Sequence, residues 1–177
     1  PGVYPMSNYI YDTVEKLCKK YKTRDPFELL NGMNVIVTES FAFSNLKGFC
    51  FLNCRTTYVV INGNLTDSEK RIVAAHELGH IVLHKDHLKL APMKDSILYD
   101  MTGKLEYQAN SFAADLLISD AEIRSLLKEE EMDYFEACHR LDTAPDLISF
   151  KLFNLNKRNT SYNLPLPTNL NSVFLRD

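Results

Sequence analysis

The feature that most constrains this chain is a pair of histidines, His76 and His80, four residues apart in an apolar segment. Residues at this spacing lie on one face of an α-helix, about 6 Å apart along its axis, so two imidazoles there can share one metal ion. Zinc favours nitrogen ligands, and a catalytic zinc keeps one position open. Glu77 is turned by about 100° from His76, so it is a poor ligand but can act as a general base. The spacing therefore predicts one zinc ion at His76 and His80, with Glu77 as the catalytic residue.

The flanking residues predict that this helix is buried. Thr66 can cap it, and Glu69, three residues later, completes a capping box. Apolar residues recur at helical spacing from Ile72 to Leu83, and small residues stand beside the histidines. Burying His and Glu side chains in such a segment is costly unless they find partners, which a metal ion supplies. The context therefore favours a metal site over two surface histidines.

The third ligand decides the class of metal site. A metzincin requires glycine at position 83 and histidine at 86, where this chain has Leu83 and Asp86, so that class is excluded. The alternative is a carboxylate from a later helix. Glu106 is the best candidate, because small residues on its helix face would allow close packing against the histidine helix. Asp100, expected in a loop, and Asp115, on another helix face, are its competitors.

Two further residues are candidates for hydrogen bonding to the ligand side chains on the side away from the metal. Asn110 lies one helical turn after Glu106 and could bond a ligand histidine. His84 extends the histidine row by one more turn, too far along the axis to bind the same ion. We expect it to have a structural or ligand-supporting role.

The rest of the chain predicts an α+β fold. We expect helices over residues 7–22, 26–30, 66–85 and 104–118, and strands over 35–37, 49–52 and 58–61, with a loop over 87–103. Two or three short helices and a polar, proline-containing tail follow. This order predicts a metal-binding domain over residues 6–120 and a helical C-terminal segment over 121–177 that packs on it.

The strand expected at 58–61 directly precedes the histidine helix. It could pair with an extended peptide along its edge, which makes Tyr58 and Val60 candidate substrate-binding residues. Tyr58, Tyr99 and Tyr107 are weak candidates for the donor that stabilises an oxyanion.

The partners and location are predicted from charge and hydropathy. Residues 135–152 are similar to a helix-turn-helix pair, but the second helix offers only Lys151, with Lys157 and Arg158 just beyond it, which favours packing or protein docking over DNA reading. The net charge of −3 gives no general attraction to nucleic acid or anionic lipid. No signal peptide and no apolar run near the roughly 18 residues of a membrane span are found. We expect a cytoplasmic protein with no direct nucleic-acid or membrane partner.

The segment from Tyr58 to His84, followed by Glu106-x-x-Ala109-Asn110-x-Phe112-Ala113, resembles the ImmA/IrrE family of metallopeptidases. The resemblance is strongest over residues 57–118. It implies a minimal zincin-like fold, with a small sheet packed on helices, and an anti-repressor of phages or other mobile elements.

The resemblance also implies the zinc ligands His76, His80 and Glu106, and a catalytic Glu77. We therefore expect a zinc metalloendopeptidase that hydrolyses a peptide bond in a protein substrate, a helix-turn-helix transcriptional repressor. The alternative is a zinc-containing binding protein that inactivates a repressor by sequestering it without cleavage. Glu77 favours the enzyme, because a structural site with two histidines does not need it.

Overall fold

A computed structural model describes residues 6–89, 93–95, 103–128 and 134–158. Within these ranges the chain forms eight helices and a four-stranded sheet. The helices are α1 (Met6–Tyr21), α2 (Pro26–Gly32), α3 (Asp67–Leu83), α4 (Lys85–Leu88), α5 (Lys104–Leu117), α6 (Asp120–Leu126), α7 (Tyr134–Arg140) and α8 (Pro145–Arg158). The strands are β1 (Ile36–Ser40), β2 (Gly48–Asn53), β3 (Thr56–Asn62) and β4 (Met93–Asp95). This combination confirms the predicted α+β fold.

The strands are arranged in the order β1-β3-β2-β4. β1 runs parallel to β3, whereas β2 is antiparallel to both β3 and β4. β3 therefore has a hydrogen-bonded strand on each side, and the prediction that its edge is open to a peptide is wrong. The edge of β3 is occupied because β1 crosses over to lie beside it, and no local sequence pattern reveals that crossover.

The loop expected over residues 87–103 is only partly correct. Within the described residues, α4 continues the chain after α3, and β4 adds a strand in which Met93 pairs with Cys50 and Asp95 with Gly48. A strand of three residues is too short for a visible alternation of apolar and polar side chains. Asp100 and Tyr99 lie outside the described residues.

The histidine helix α3 begins as predicted. The Thr66 hydroxyl accepts a hydrogen bond from the Glu69 backbone N–H, and the Glu69 carboxylate accepts one from the Thr66 backbone N–H. Such reciprocal bonds satisfy two backbone donors that the first helical turn would otherwise leave unpaired. The helix then packs against β2 and β3 on one side and against α5 on another.

α3 and α5 approach each other closely at Gly79. A Cβ atom at Gly79 would lie 3.1 Å from the Cα and 3.2 Å from the carbonyl oxygen of Ala109. A glycine on one helix and a small residue on the other therefore allow their backbones to come close, as the small residues of both segments predict.

The C-terminal helix α8 packs against α5 and α1. Most of its apolar side chains are buried, and Lys151 is fully buried as well, donating hydrogen bonds to Asp115 (2.8 Å) and Asp120 (2.6 Å). Lys151 is therefore not available to a DNA backbone. The division of the chain at residue 120 stays a prediction, and residues 159–177 lie outside the described residues. No helix of the described ranges is both long and apolar enough to span a bilayer.

Candidate metal centre

Three side chains from two helices converge on one point. The Nε2 atom of His76 lies 3.2 Å from Glu106 Oε2, and the Nε2 atom of His80 lies 3.4 Å from Glu106 Oε1. The two Nε2 atoms are 3.0 Å apart. Within the described residues these three donors form a group whose ligand atoms all lie within 4.8 Å of one another. The structure thus brings together the three residues expected to bind the metal.

The helix crossing produces this convergence. His76 and His80 share one face of α3, and α5 crosses that face at Gly79, which places Glu106 of the first turn of α5 opposite them. His76 and His80 are 1% and 0% exposed, whereas the Glu106 side chain is 21% exposed. The group is therefore closed by protein on the histidine side and accessible to solvent beside Glu106.

The donor chemistry fits a catalytic divalent metal. Two imidazole nitrogens and one carboxylate are a ligand set of catalytic zinc sites, in which a fourth position stays open to water or substrate. Burial of the two imidazoles agrees with this, because a buried ring needs a partner for each of its nitrogens. Each ring directs Nε2 toward the shared point and bonds another side chain through Nδ1.

Glu77 lies beside this group without belonging to it. It is fully buried on α3, between the two histidines in sequence, and is not one of the three clustered donors. A Cβ atom at Gly48 of β2 would lie 3.4 Å from Glu77 Oε1, so the strand passes directly over the carboxylate. This position suits a base that acts next to the metal, although its catalytic role stays a prediction.

Asn110 contacts His76, and His84 contacts His80. Asn110 Oδ1 lies 2.8 Å from His76 Nδ1. The Nδ1 atoms of His80 and His84 are 3.0 Å apart. Burial lowers the pKa of His84, and its hydrogen bond to Gln108 offsets part of that effect. Both residues expected to support the ligands therefore contact them.

Gln108 is a contact of this group that the sequence pattern does not reveal. Its side-chain oxygen Oε1 lies 2.8 Å from Nε2 of His84. Gln108 is two residues after Glu106, which turns it about 200° away from that ligand on a helix. A helical pattern alone places such a residue on a different face, and only the crossing of α5 over α3 brings it to His84.

The competing carboxylate Asp115 is occupied elsewhere. It is fully buried and accepts hydrogen bonds from Lys151, Asn154 and Arg158, all on α8. It is not one of the three clustered donors. Asp100 cannot be compared with it, because it lies outside the described residues.

Tyr58 and Val60 point away from the metal group. Side chains alternate between the two faces of a strand. Val59 and Ile61 are buried in the core, as expected for the face of β3 that packs on α3, so Tyr58 and Val60 occupy the opposite face. The Tyr58 ring stacks there on Phe51, with ring centroids 5.0 Å apart. The expected contact with a substrate at the metal, and the oxyanion role of Tyr58, are therefore corrected.

Tyr107 is also an unsuitable oxyanion donor. Its ring packs against Phe150 and Phe153 of α8, with centroids 5.9 and 6.3 Å away. Burial raises the pKa of its hydroxyl, and a hydrogen bond to Ser111 opposes the change. The side chain is therefore part of the contact between α5 and α8.

Comparison with known proteins agrees with this geometry. Residues 33–144, more than half of the chain, match the peptidase family described as the IrrE N-terminal-like domain. The chain belongs to the ImmA/IrrE family. The matched ImmA/IrrE region contains α3 and α5, and so all three clustered donors. The zincin-like fold expected for this family of metallopeptidases is confirmed.

Two relatives of this ImmA/IrrE chain cover different shares of it. It is 39% identical over 107 residues to the Uncharacterized immunity region protein 2 of Bacillus phage phi105, an alignment that covers 60% of this chain and 66% of the phage protein. The chain therefore spans slightly less than two thirds of that relative. It is 27% identical over 140 residues to Metallopeptidase ImmA of Bacillus subtilis strain 168, covering 73% of this chain and 79% of that protein.

Proposed function

We propose that this chain is a zinc-dependent endopeptidase that cleaves a protein substrate, a helix-turn-helix transcriptional repressor. The observation that carries the proposal is the convergence of His76, His80 and Glu106 with Glu77 buried beside them. The family supports a metallopeptidase activity. The choice of a repressor follows from the family resemblance, and the likeness to a phage immunity region protein agrees with it.

His76, His80 and Glu106 would hold one zinc ion. Bound there, zinc supplies Lewis acidity, which polarises a scissile carbonyl and makes a nearby water a better nucleophile near neutral pH. Because the Glu106 side is the solvent-accessible side of the group, we expect the substrate to approach from there.

Glu77 would move the protons of the reaction. Its carboxylate accepts a proton from the attacking water and then donates it to the nitrogen of the leaving amine, so the residue ends the cycle in its starting form. Burial keeps this carboxylate close to the reacting atoms and away from bulk water. A Cβ atom at Gly48 would clash with Val73 Cγ1 at 2.5 Å and would be in ordinary contact with Glu77 Oε1 at 3.4 Å, so β2 packs tightly on this part of α3.

The corrected sheet order moves the proposed peptide site from β3 to β4. β4 is the last strand of the sheet within the described residues. Its Asp95 pairs with Gly48 of β2, where a Cβ atom would lie 3.4 Å from Glu77 Oε1. An extended peptide that pairs with the side of β4 away from β2 would lie two strand spacings, about 10 Å, from Gly48, with backbone hydrogen bonds giving affinity. A cytoplasmic location is consistent with a repressor as substrate.

A zinc-exchange experiment tests the function. The purified protein is incubated with a candidate repressor encoded next to its own gene, first as isolated, then with a chelator, and then with zinc restored. We expect cleavage at one bond, identified by mass spectrometry, to disappear with the chelator and to return with one equivalent of zinc. A repressor that binds tightly but stays intact in every sample would support sequestration instead.

A further inference from the structure

A line of three buried or half-buried side chains leads away from the metal group behind His80. Its first contact joins His80 Nδ1 to His84 Nδ1 over 3.0 Å, and its second joins His84 Nε2 to Gln108 Oε1 over 2.8 Å. His80 and His84 are 0% and 4% exposed. The support of His76 is shorter, because Asn110 bonds its Nδ1 directly at 2.8 Å.

The two contacts of His84, with His80 and with Gln108, allow only two arrangements of protons when both rings are neutral. A neutral imidazole carries one N–H and one lone pair, and each contact needs one donor and one acceptor. If His80 presents the Nε2 lone pair to a metal, its Nδ1 carries the proton and donates to His84 Nδ1. His84 then carries its proton on Nε2 and donates to Gln108 Oε1. In the opposite arrangement the Gln108 amide donates, and His80 ends with a proton on Nε2, which blocks metal binding.

We propose that Gln108 is a positioning residue that selects the metal-binding tautomer of His80 through His84. The proposal rests on the metal site of the proposed function. An acceptor at the end of the line favours the arrangement in which the Nε2 lone pair of His80 is available. Asn110 does the same for His76 without an intermediate residue.

One consequence is that α5 completes the whole site. It carries the ligand Glu106 and the terminal acceptors Gln108 and Asn110, whereas both ligand histidines and His84 belong to α3 and its C-cap. Docking of a single helix therefore supplies the third ligand and sets the proton arrangement of the other two.

Two substitutions at Gln108 separate positioning from packing. Gln108→Glu retains an acceptor of similar size, whereas Gln108→Leu retains most of the volume but can accept no hydrogen bond. We expect Gln108→Leu to weaken zinc binding about 10- to 100-fold, the usual effect of losing a partner of a metal ligand. Gln108→Glu should bind zinc at least as tightly as the parent. His139→Ala, at an exposed histidine of α7, is the control that should leave affinity unchanged.

Nitrogen-15 spectra of the histidine rings give a readout that loose packing would not imitate. In the zinc-free parent and in zinc-free Gln108→Glu, His84 should carry its proton on Nε2. In zinc-free Gln108→Leu its two tautomers should both be populated, while His76, which contacts Asn110, should be unchanged.

Each outcome decides for or against the proposal. Equal zinc affinity in the parent and Gln108→Leu, or equal losses in Gln108→Leu and Gln108→Glu, would overturn the positioning role. A proton on Nδ1 of His84 in the zinc-free parent would do so as well. In these cases the parent still binds zinc, so the proposed function stands. If the parent binds no zinc at all, the proposed function and this inference fall together.

Discussion

Asp115 offers the sharpest test of how the C-terminal helix supports the site. Its carboxylate is 0% exposed and accepts bonds from Lys151 Nζ (2.8 Å), Asn154 Nδ2 (3.2 Å) and Arg158 Nη1 (3.0 Å to each oxygen). Asp120 accepts from Lys151 Nζ (2.6 Å) and Arg158 Nη2 (2.8 Å). The two carboxylates and the two cations of α8 thus connect α8 to α5 and to the start of α6, and the more exposed Arg124 also lies 3.6 Å from Asp120.

The size of the effect follows from the charge left behind. Asp115→Asn leaves Lys151 and Arg158 with a single carboxylate, so one positive charge is uncompensated where Lys151 is 0% exposed. Removing one partner of a buried ion pair costs about 3–5 kcal/mol, a large part of the roughly 5–15 kcal/mol by which a domain is stable. Adding Lys151→Met removes the excess charge. The double variant should therefore lose at least about 1 kcal/mol less than the sum of the single losses.

Urea unfolding at a fixed excess of zinc measures these differences. Glu39→Gln is the matched control, since Glu39 bonds Lys70 at the same 2.8 Å but is 44% exposed, and the loss of such a pair should cost less than about 1 kcal/mol. Zinc content should be unchanged in Asp115→Asn, because Asp115 is not a ligand. A loss below 1 kcal/mol, or strict additivity with Lys151→Met, would refute the importance of the cluster.

Three further perturbations test the site and the packing that forms it. Glu106→Ala should lower zinc affinity while Asp100→Ala leaves it unchanged, as followed by competition with a chelator; the reverse result would show that the third ligand was assigned wrongly. Burial raises the pKa of Asp120, but the cations beside it outweigh burial and hold that pKa below its ordinary value. Its contribution is therefore complete above the unfolded pKa of about 3.9 and lost as pH falls through the lower folded pKa, so the stability gap between the parent and Asp120→Asn should shrink only below about pH 4. Gly79→Ala places a Cβ 3.1 Å from Ala109 Cα, which should weaken zinc binding. Overpacking costs about 1–3 kcal/mol and replacing a helical glycine regains about 1 kcal/mol, so the unfolding free energy should fall by at most about 2 kcal/mol. Unchanged zinc affinity would contradict a tight crossing of α3 and α5.

The parts of the site that could be predicted are those set by local spacing. The row His76, His80 and His84 follows from the period of a helix, and the cap at Thr66 follows from two residues three apart. Glu106 required one further inference, that small residues on α5 allow it to pack against α3. The contact at Gly79 shows that packing.

The parts that could not be predicted depend on contacts between residues distant in sequence. The order of strands is one, because β1 lies beside β3 while β2 occupies its other side. This order reversed the expectation for Tyr58 and Val60. Gln108 is another, since the angle at which two helices cross decides which residues meet. The pairing of Asp115 with Lys151 is a third, because the sequence identified Asp115 only as a competing metal ligand and Lys151 only as a basic residue of a C-terminal helix.

Glu77→Gln tests the central claim most directly. Glutamine keeps the size and hydrogen-bonding capacity of the side chain but cannot serve as the base. Zinc content and Tm should therefore stay close to those of the parent, because Glu77 is not one of the three clustered donors. Cleavage of the candidate repressor should fall by at least about 10²- to 10⁴-fold, the usual contribution of a general base, while the complex still forms. A zinc-loaded Glu77→Gln variant that cleaves the repressor, or relieves repression, as well as the parent would contradict the account.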